Sequence, residues 1–224
     1  MRRVESSDAD APGPEEAGTA LTPRGAKTRA RLLAAARATF EQRGYHDASV
    51  NDISSAAEVA YGTFYIYFAS KEDVFGEVVK DLYAEFRAIA AAEPDRGSSP
   101  AQQIERANRG FLNAYRETAP MQRILEQVAT FNPRQAMERR ESNRYWRDRT
   151  RRAIARWQIA GIVGPDIDAV YAAAALGAMV DRFAYLWFVL GEGHDFETAV
   201  EQLTHLYCRA LGIEHMLARG SDDL

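Results

Sequence analysis

Two helix-start signals, Ser49-Val50-Asn51-Asp52 and Ser70-Lys71-Glu72-Asp73, constrain the fold of this chain more than any other feature. In each, the serine oxygen can accept from a backbone amide one turn on, while the acid sits at the positive end of the helix dipole. Val50, Ile53 and Ala57 follow the first signal on one helical face, and Val74, Val78, Leu82 and Phe86 follow the second. Only a short helix, a bend at Glu58-Val59-Ala60 and about two further turns fit between the signals.

Those two turns fall on AYGTFYIYF, residues 60–68, whose aromatic and β-branched residues have the composition of a strand. Alternation would set Phe64, Ile66 and Phe68 against Thr63, Tyr65 and Tyr67, but the sequence offers no strand to pair with and the edge would be left open. Helical spacing instead turns Val59, Phe64 and Phe68 inward against Ile53 and Phe40, and brings Tyr61 and Tyr65 together on the opposite face. Gly62 costs such a helix about 1 kcal/mol relative to alanine. A phosphate or base edge approaching closely would use the missing Cβ, with a cap or turn as the plain alternative. The arrangement reads as a helix-turn-helix, whose second element can lie in the major groove of DNA.

The preceding segment repeats Leu32, Leu33, Ala36 and Phe40 at helical spacing from about Pro23, and Gly44 follows as a helix-ending glycine with Tyr45 packing back. Beyond Phe86, breaks at 94–100, 119–120, 132–133, 161–165 and 191–195 divide the chain into helical segments at 100–118, 120–131, 134–160, 166–190 and 195–212. The fold expected is all-α with about nine helices. A helix-turn-helix domain of three helices spans 23–70, and a larger helical bundle spans 71–212. Residues 1–22, rich in Pro, Gly, Ser and acid, and 213–224 are expected to be tails.

Ile53 through Val74, ISSAAEVAYGTFYIYFASKEDV, resembles the signature of the TetR family of bacterial transcriptional regulators. The likeness lies in Gly62 to Tyr65, Tyr67-Phe68 and Ser70 to Glu72, and the segment pattern suits the family over 24–212. The resemblance implies a repressor that binds a palindromic operator as a homodimer and leaves it when a small molecule enters the C-terminal domain. Carried over by position, Tyr61 would contact bases or groove, Thr63 and Tyr65 would hold phosphates beside Gly62, and Lys71 would pair with a phosphate. Ser49 and Asn51 would lie at the DNA-facing end of the second helix. The family has glycine where this chain has Glu58 and a small hydroxyl residue where it has Ala60. Glu58 is therefore expected in a left-handed conformation, and Ala60 leaves its helix without a side-chain cap.

The net charge of −4 excludes a protein coated in basic surface, so DNA binding has to rest on a local patch. Arg24, Lys27, Arg29, Arg31, Arg37, Arg43 and Lys71 outnumber the acids of the N-terminal domain. For the C-terminal half, Phe111, Tyr115, Phe131, Trp146, Phe183 and Trp187 are the candidate walls of an effector pocket, with plain core as the alternative for each. Asp181 and Arg182 interrupt an apolar helix and need partners, in a dimer mate or a ligand. Nine arginines between Arg134 and Arg156 suit an anionic effector such as an acyl-CoA, or a solvated face. The effector expected is small and largely apolar, lipophilic or acyl-CoA-like.

Cys208 is the lone cysteine, so neither an intramolecular disulfide nor a cysteine-rich zinc site can form. The four histidines lack metal-ligand spacing, and no phosphate loop or nucleophile elbow is present, so neither enzyme activity nor a cofactor is expected. A helical binding protein or cofactor enzyme without a DNA role is the alternative. The N-terminus lacks the apolar stretch of a signal peptide, and Asp181 and Arg182 break the longest apolar run, which points to the cytoplasm and away from a membrane.

Overall fold

The structure is a computed structural model describing residues 22–90 and 97–213. The expected tails at 1–22 and 213–224 lie almost wholly outside the described residues, as does His215. Within them the chain forms α1 (Pro23–Asp47), α2 (Val50–Ala56), α3 (Tyr61–Tyr67), α4 (Lys71–Ala90), α5 (Pro100–Ala129), α6 (Pro133–Ile159), α7 (Ala169–Phe188) and α8 (Phe196–Ala210). The architecture is all-α, with no strand among the described residues.

Local chemistry sets most of the helix starts. Ser49 accepts from the Asp52 amide while Asp52 accepts from the Ser49 amide, a reciprocal cap for α2. At α4 the Asp73 amide donates to Ser70 Oγ and the Ala69 amide to Asp73 Oδ2, both at 3.1 Å. Thr22, Ser99 and Asn132 cap helices whose first residue is proline, a position where the missing N–H costs nothing.

Among the described residues eight helices stand, close to the nine or so expected, with the segments expected at 100–118 and 120–131 joined because α5 runs unbroken through Pro120. Proline forfeits one backbone bond, but Pro120 is exposed, so water can satisfy the orphaned carbonyl. Ala114, Tyr115 and Thr118 before it and Met121 and Ile124 after it are buried, so packing holds the helix on both sides of the proline. Gly44 marks the regular end of α1, with φ +78°, and Tyr45 folds back into the core as expected.

Two cores result. The first joins Leu32, Phe40, Ile53, Phe64 and Phe68 of the head to Phe75, Val78 and Leu82 of α4, and Met121, Ile124 and Val128 of α5 close it. The second lies among α4 to α8 and includes Phe86, Leu112, Ile154, Leu176, Leu203 and Tyr207. Helices α4 and α5 run through both, so they are the mechanical link between head and bundle.

Candidate nucleic-acid interface and ligand cavity

The head places its two helices as the residue spacing demands. Phe64 and Phe68 are buried, with rings 5.6 Å apart, and Val59 packs against the same core. Tyr61 and Tyr65 stand on the opposite face, about half exposed, with their hydroxyls 2.9 Å apart. That bond to Tyr61 holds the Tyr65 phenol above its ordinary range. Gly62 is exposed, and a Cβ added to it would meet nothing within 4 Å. Nothing inside the protein therefore accounts for a glycine here. Ser49 and Asn51 are exposed at the start of α2, and Thr63 is partly covered.

The turn between α2 and α3 carries the departures foreseen. Glu58 has φ +52°, the sole positive φ outside glycine among the described residues, and Ala60 makes no side-chain cap. What spacing could not reveal is how the turn is fastened. Arg31, on α1, donates to the Ala57 carbonyl, reaches the Glu58 carbonyl at 3.3 Å and lies 3.8 Å from the Glu58 carboxylate. A charged donor on two carbonyls at the end of α2 offsets the left-handed backbone.

Lys71 has internal partners. Its ammonium donates to the carbonyls of Tyr45 at 2.8 Å and Ala48 at 3.0 Å, approaches that of His46 at 3.4 Å, and lies 4.6 Å from the Tyr45 ring centre. It ties the start of α4 to the α1–α2 junction. Much of the head's basic charge is likewise paired: Arg29 with Glu77, Arg37 with Glu41 and Glu85, and Arg43 with Asp52. Arg24 and Lys27 remain exposed on the first turns of α1.

The bundle encloses a cavity of about 780 Å³ bounded by α4 to α8. Phe111, Tyr115, Trp146 and Asp181, all expected there, line it, together with Phe86 and Trp157. Phe131, Phe183 and Trp187 do not. Phe131 stands exposed at the α5–α6 corner, its ring 5.0 Å from His46 and 6.1 Å from Tyr45 of the head. Phe183 follows Asp181 by two residues, a rotation of about 200° around α7. It faces an outer groove with Met179, Leu186 and Leu206 instead. Trp187 stacks on Phe188 and meets His194 beyond the cavity.

Asp181 sits at one end of the cavity. Burial pushes its carboxyl above the usual range, and Arg139 opposes that shift. Arg139 itself bonds Glu126 of α5 at 2.5 Å. Arg182 points outward over the Tyr185 ring, 4.7 Å from its centre, so the adjacent charges serve different places. Arginine spacing on α6 left open whether those side chains meet a ligand or solvent; Arg147, Arg149, Arg152 and Arg156 are cavity-lining. Among the described residues no three His, Cys, Asp or Glu side chains gather as metal ligands would. Helix α7 is long and apolar enough to cross a membrane by composition alone. Its Ala173, Leu176, Val180 and Ala184 belong to the bundle core.

Residues 32–78 match the family described as bacterial regulatory proteins, tetR family. The chain is similar to YdgC of Bacillus subtilis, an uncharacterized HTH-type transcriptional regulator, with 41% identity over 66 residues, 30% of this chain and 34% of that protein. The matched stretch thus spans about a third of the relative's length. Over the whole fold, a TetR-like transcriptional regulator from Rhodococcus sp. RHA1 superposes with a TM-score of 0.68 at 23% identity, covering 86% of this chain and 99% of that one. The fatty acid degradation regulator FadR from Bacillus halodurans gives 0.60 at 18% identity, covering 84% and 96%. Residues 32–78 thus carry the helix-turn-helix unit of the tetR family of bacterial regulatory proteins, set in a fold shared with such regulators.

Proposed function

We propose that this protein is a ligand-responsive transcriptional repressor in the cytoplasm, binding a palindromic operator as a homodimer and leaving it when a small, largely apolar molecule fills the bundle cavity. The observation that carries the DNA-binding half is the outer face of α3. Tyr61, Gly62 and Tyr65 are exposed there with no internal reason for a glycine, on a helix held in place entirely by its other face. Phenol and threonine hydroxyls donate to phosphate oxygens or base edges, and the absent Cβ lets the backbone come close. Ser49 and Asn51 extend this surface at the start of α2, and Arg24 and Lys27 supply charge beside it. Lys71 acts by position: it fixes the α1–α2 junction through the Tyr45 and Ala48 carbonyls instead of spending its charge on a phosphate.

Homodimerisation rests on the outer face of α7 and α8. Met179, Phe183, Leu186, Leu203 and Leu206 line an apolar groove, and Tyr171 is 77% exposed at one end of α7. A second copy would cover this surface with the same surface, as a two-fold interface does. The effector half rests on the cavity, whose size is that of a drug-like ligand site. The likeness to the fatty acid degradation regulator of Bacillus halodurans and the α6 arginines both favour an acyl-like effector.

The experiment is selection of genomic fragments by the purified protein, followed by gel retardation across a salt series. Sequence-specific retardation that weakens steeply with salt is expected. No specific retardation even at low salt would overturn the DNA-binding reading.

A further inference from the structure

The cavity is elongated and its two ends differ in charge. Its lining runs along α6 from Arg139 to Arg156, which at the helical rise is about 26 Å. At one end Asp181 of α7 lies with Arg139, Gln122 and Leu125. The middle is aromatic: the Phe86 ring packs edge-on against Phe111 at 5.2 Å and Trp146 at 5.9 Å. The other end holds Arg152 and Arg156 with Trp157 and Ala173.

The partly buried carboxylate at one end lacks the partner such a group needs, and the arginines at the other end are solvent-exposed and open to an anion. Arg139, the cation beside Asp181, is committed to Glu126, and among the described residues no hydrogen bond or ion pair ends on the Asp181 carboxylate. Arg147, Arg152 and Arg156 likewise have no carboxylate within ion-pair distance among the described residues. The lining as a whole carries six arginines against one carboxylate, so an anion is favoured and a lipophilic cation is opposed. An acid group can be held by guanidinium forks, whereas the tail of a simple fatty acid would leave Asp181 desolvated and unpaired.

We propose that the cavity binds an elongated organic acid polar at both ends, its acid group held by Arg152 and Arg156, one turn apart on α6, and a hydroxyl at its far end donating to Asp181. The proposal rests on reading this cavity as the effector site and names the class of effector. It distinguishes the ligand from an unsubstituted acyl chain, which satisfies only the arginine end. Arg139 gives the bound hydroxyl a route to the rest of the molecule. It joins α6 to Glu126 of α5, and α5 leads to Phe131 against His46 of the head.

The test is titration of the full chain with four probes of one chain length, dodecanoate, ω-hydroxydodecanoate, dodecyl phosphate and dodecanol, read by quenching of Trp146 and Trp157 fluorescence. The ω-hydroxy acid should bind about tenfold tighter than dodecanoate, the scale of one hydrogen bond to a charged group. That preference should vanish in Asp181→Ala. Arg152→Ala with Arg156→Ala should weaken every acid about tenfold or more and leave dodecanol unchanged, and dodecyl phosphate against dodecanoate tells which anion the arginines favour. Equal affinity for dodecanoate and its ω-hydroxy form, a preference that survives in Asp181→Ala, dodecanol matching the acids, or no binding of any probe would each overturn the proposal. Retardation of the selected DNA fragment is measured alongside. Preferred binding of the hydroxy acid with the DNA complex left intact would uphold this ligand class and refute the regulatory reading; release of DNA without that preference would do the reverse.

Discussion

In the head, rings touch rings with no space between: Phe40 meets Phe75 edge-on at 5.1 Å, and Tyr45 meets Phe75 at 4.8 Å. In the bundle, Phe86, Phe111 and Trp146 make contacts of similar length but stand as the wall of a 780 Å³ cavity. The polar groups divide the same way. Lys71 and Arg31 satisfy backbone carbonyls that the head's tight turns would otherwise orphan, while the partly buried Asp181 of the bundle has no bonded partner among the described residues. A surface that must match a rigid duplex needs a fixed shape, and a chamber that must admit a molecule needs volume and unspent hydrogen-bonding capacity. The difference fits the division proposed above, with DNA binding in the head and ligand binding in the bundle.

The largest way to break this comparison is to remove a ring from each region. Phe64→Ala should cost about 3–5 kcal/mol, because Phe64 is fully buried among close neighbours. Phe111→Ala should cost only about 1–2 kcal/mol, since one side of that ring already faces the cavity. Urea denaturation of both variants measures the gap, and equal losses would mean that the bundle is as tightly packed as the head.

A middle-sized effect concerns Asp181. Burial raises its folded carboxyl above that of the unfolded chain, so the native state holds its proton to higher pH. Its contribution to stability is complete below the unfolded carboxylate range and is lost as pH rises through the raised folded value. Asp181→Asn should therefore be more stable than the parent at pH 7 by about 1 kcal/mol, or roughly 2–4 °C in Tm, and equal to it in acid. A variant less stable at pH 7 would show that the carboxylate has a partner and that the bundle's unspent group is satisfied after all.

The smallest effect sits in the head. Glu58→Gly should gain up to about 1 kcal/mol by relieving the positive φ, less whatever the Arg31 contacts lose. Thermal unfolding reads the sign. A loss would mean that Arg31 holds the glutamate side chain more firmly than its 3.8 Å separation suggests.

Much of the head was legible because its signals are local. Serine caps, the glycine that ends α1, and the facing of AYGTFYIYF all depend on neighbours within about a turn, so spacing decides them. The left-handed Glu58 was foreseen through the family resemblance, since the family has glycine at that position. The Lys71 carbonyl bonds could not, because they span 23 to 26 residues of sequence. In the bundle, aromatic composition pointed to a cavity but not to its walls. Phe131, Phe183 and Trp187 look no different in sequence from Phe111 and Trp146, and only the facing of α7 and the position of the α5–α6 corner separate them. Pro120 shows the same limit: a strong local breaker is overruled when its cost falls on solvent and buried residues bind both sides.

The account stands or falls on the outer face of α3. Binding of the selected DNA fragment by Tyr61→Ala and Tyr65→Ala, measured by fluorescence anisotropy at one salt concentration beside circular dichroism and sedimentation, tests it directly. The account predicts at least about tenfold weaker binding for each variant, the scale of lost hydrogen bonds at a DNA surface, with helix content and association state unchanged. Unaltered affinity in both would place DNA recognition elsewhere on the molecule and contradict the role assigned to α3.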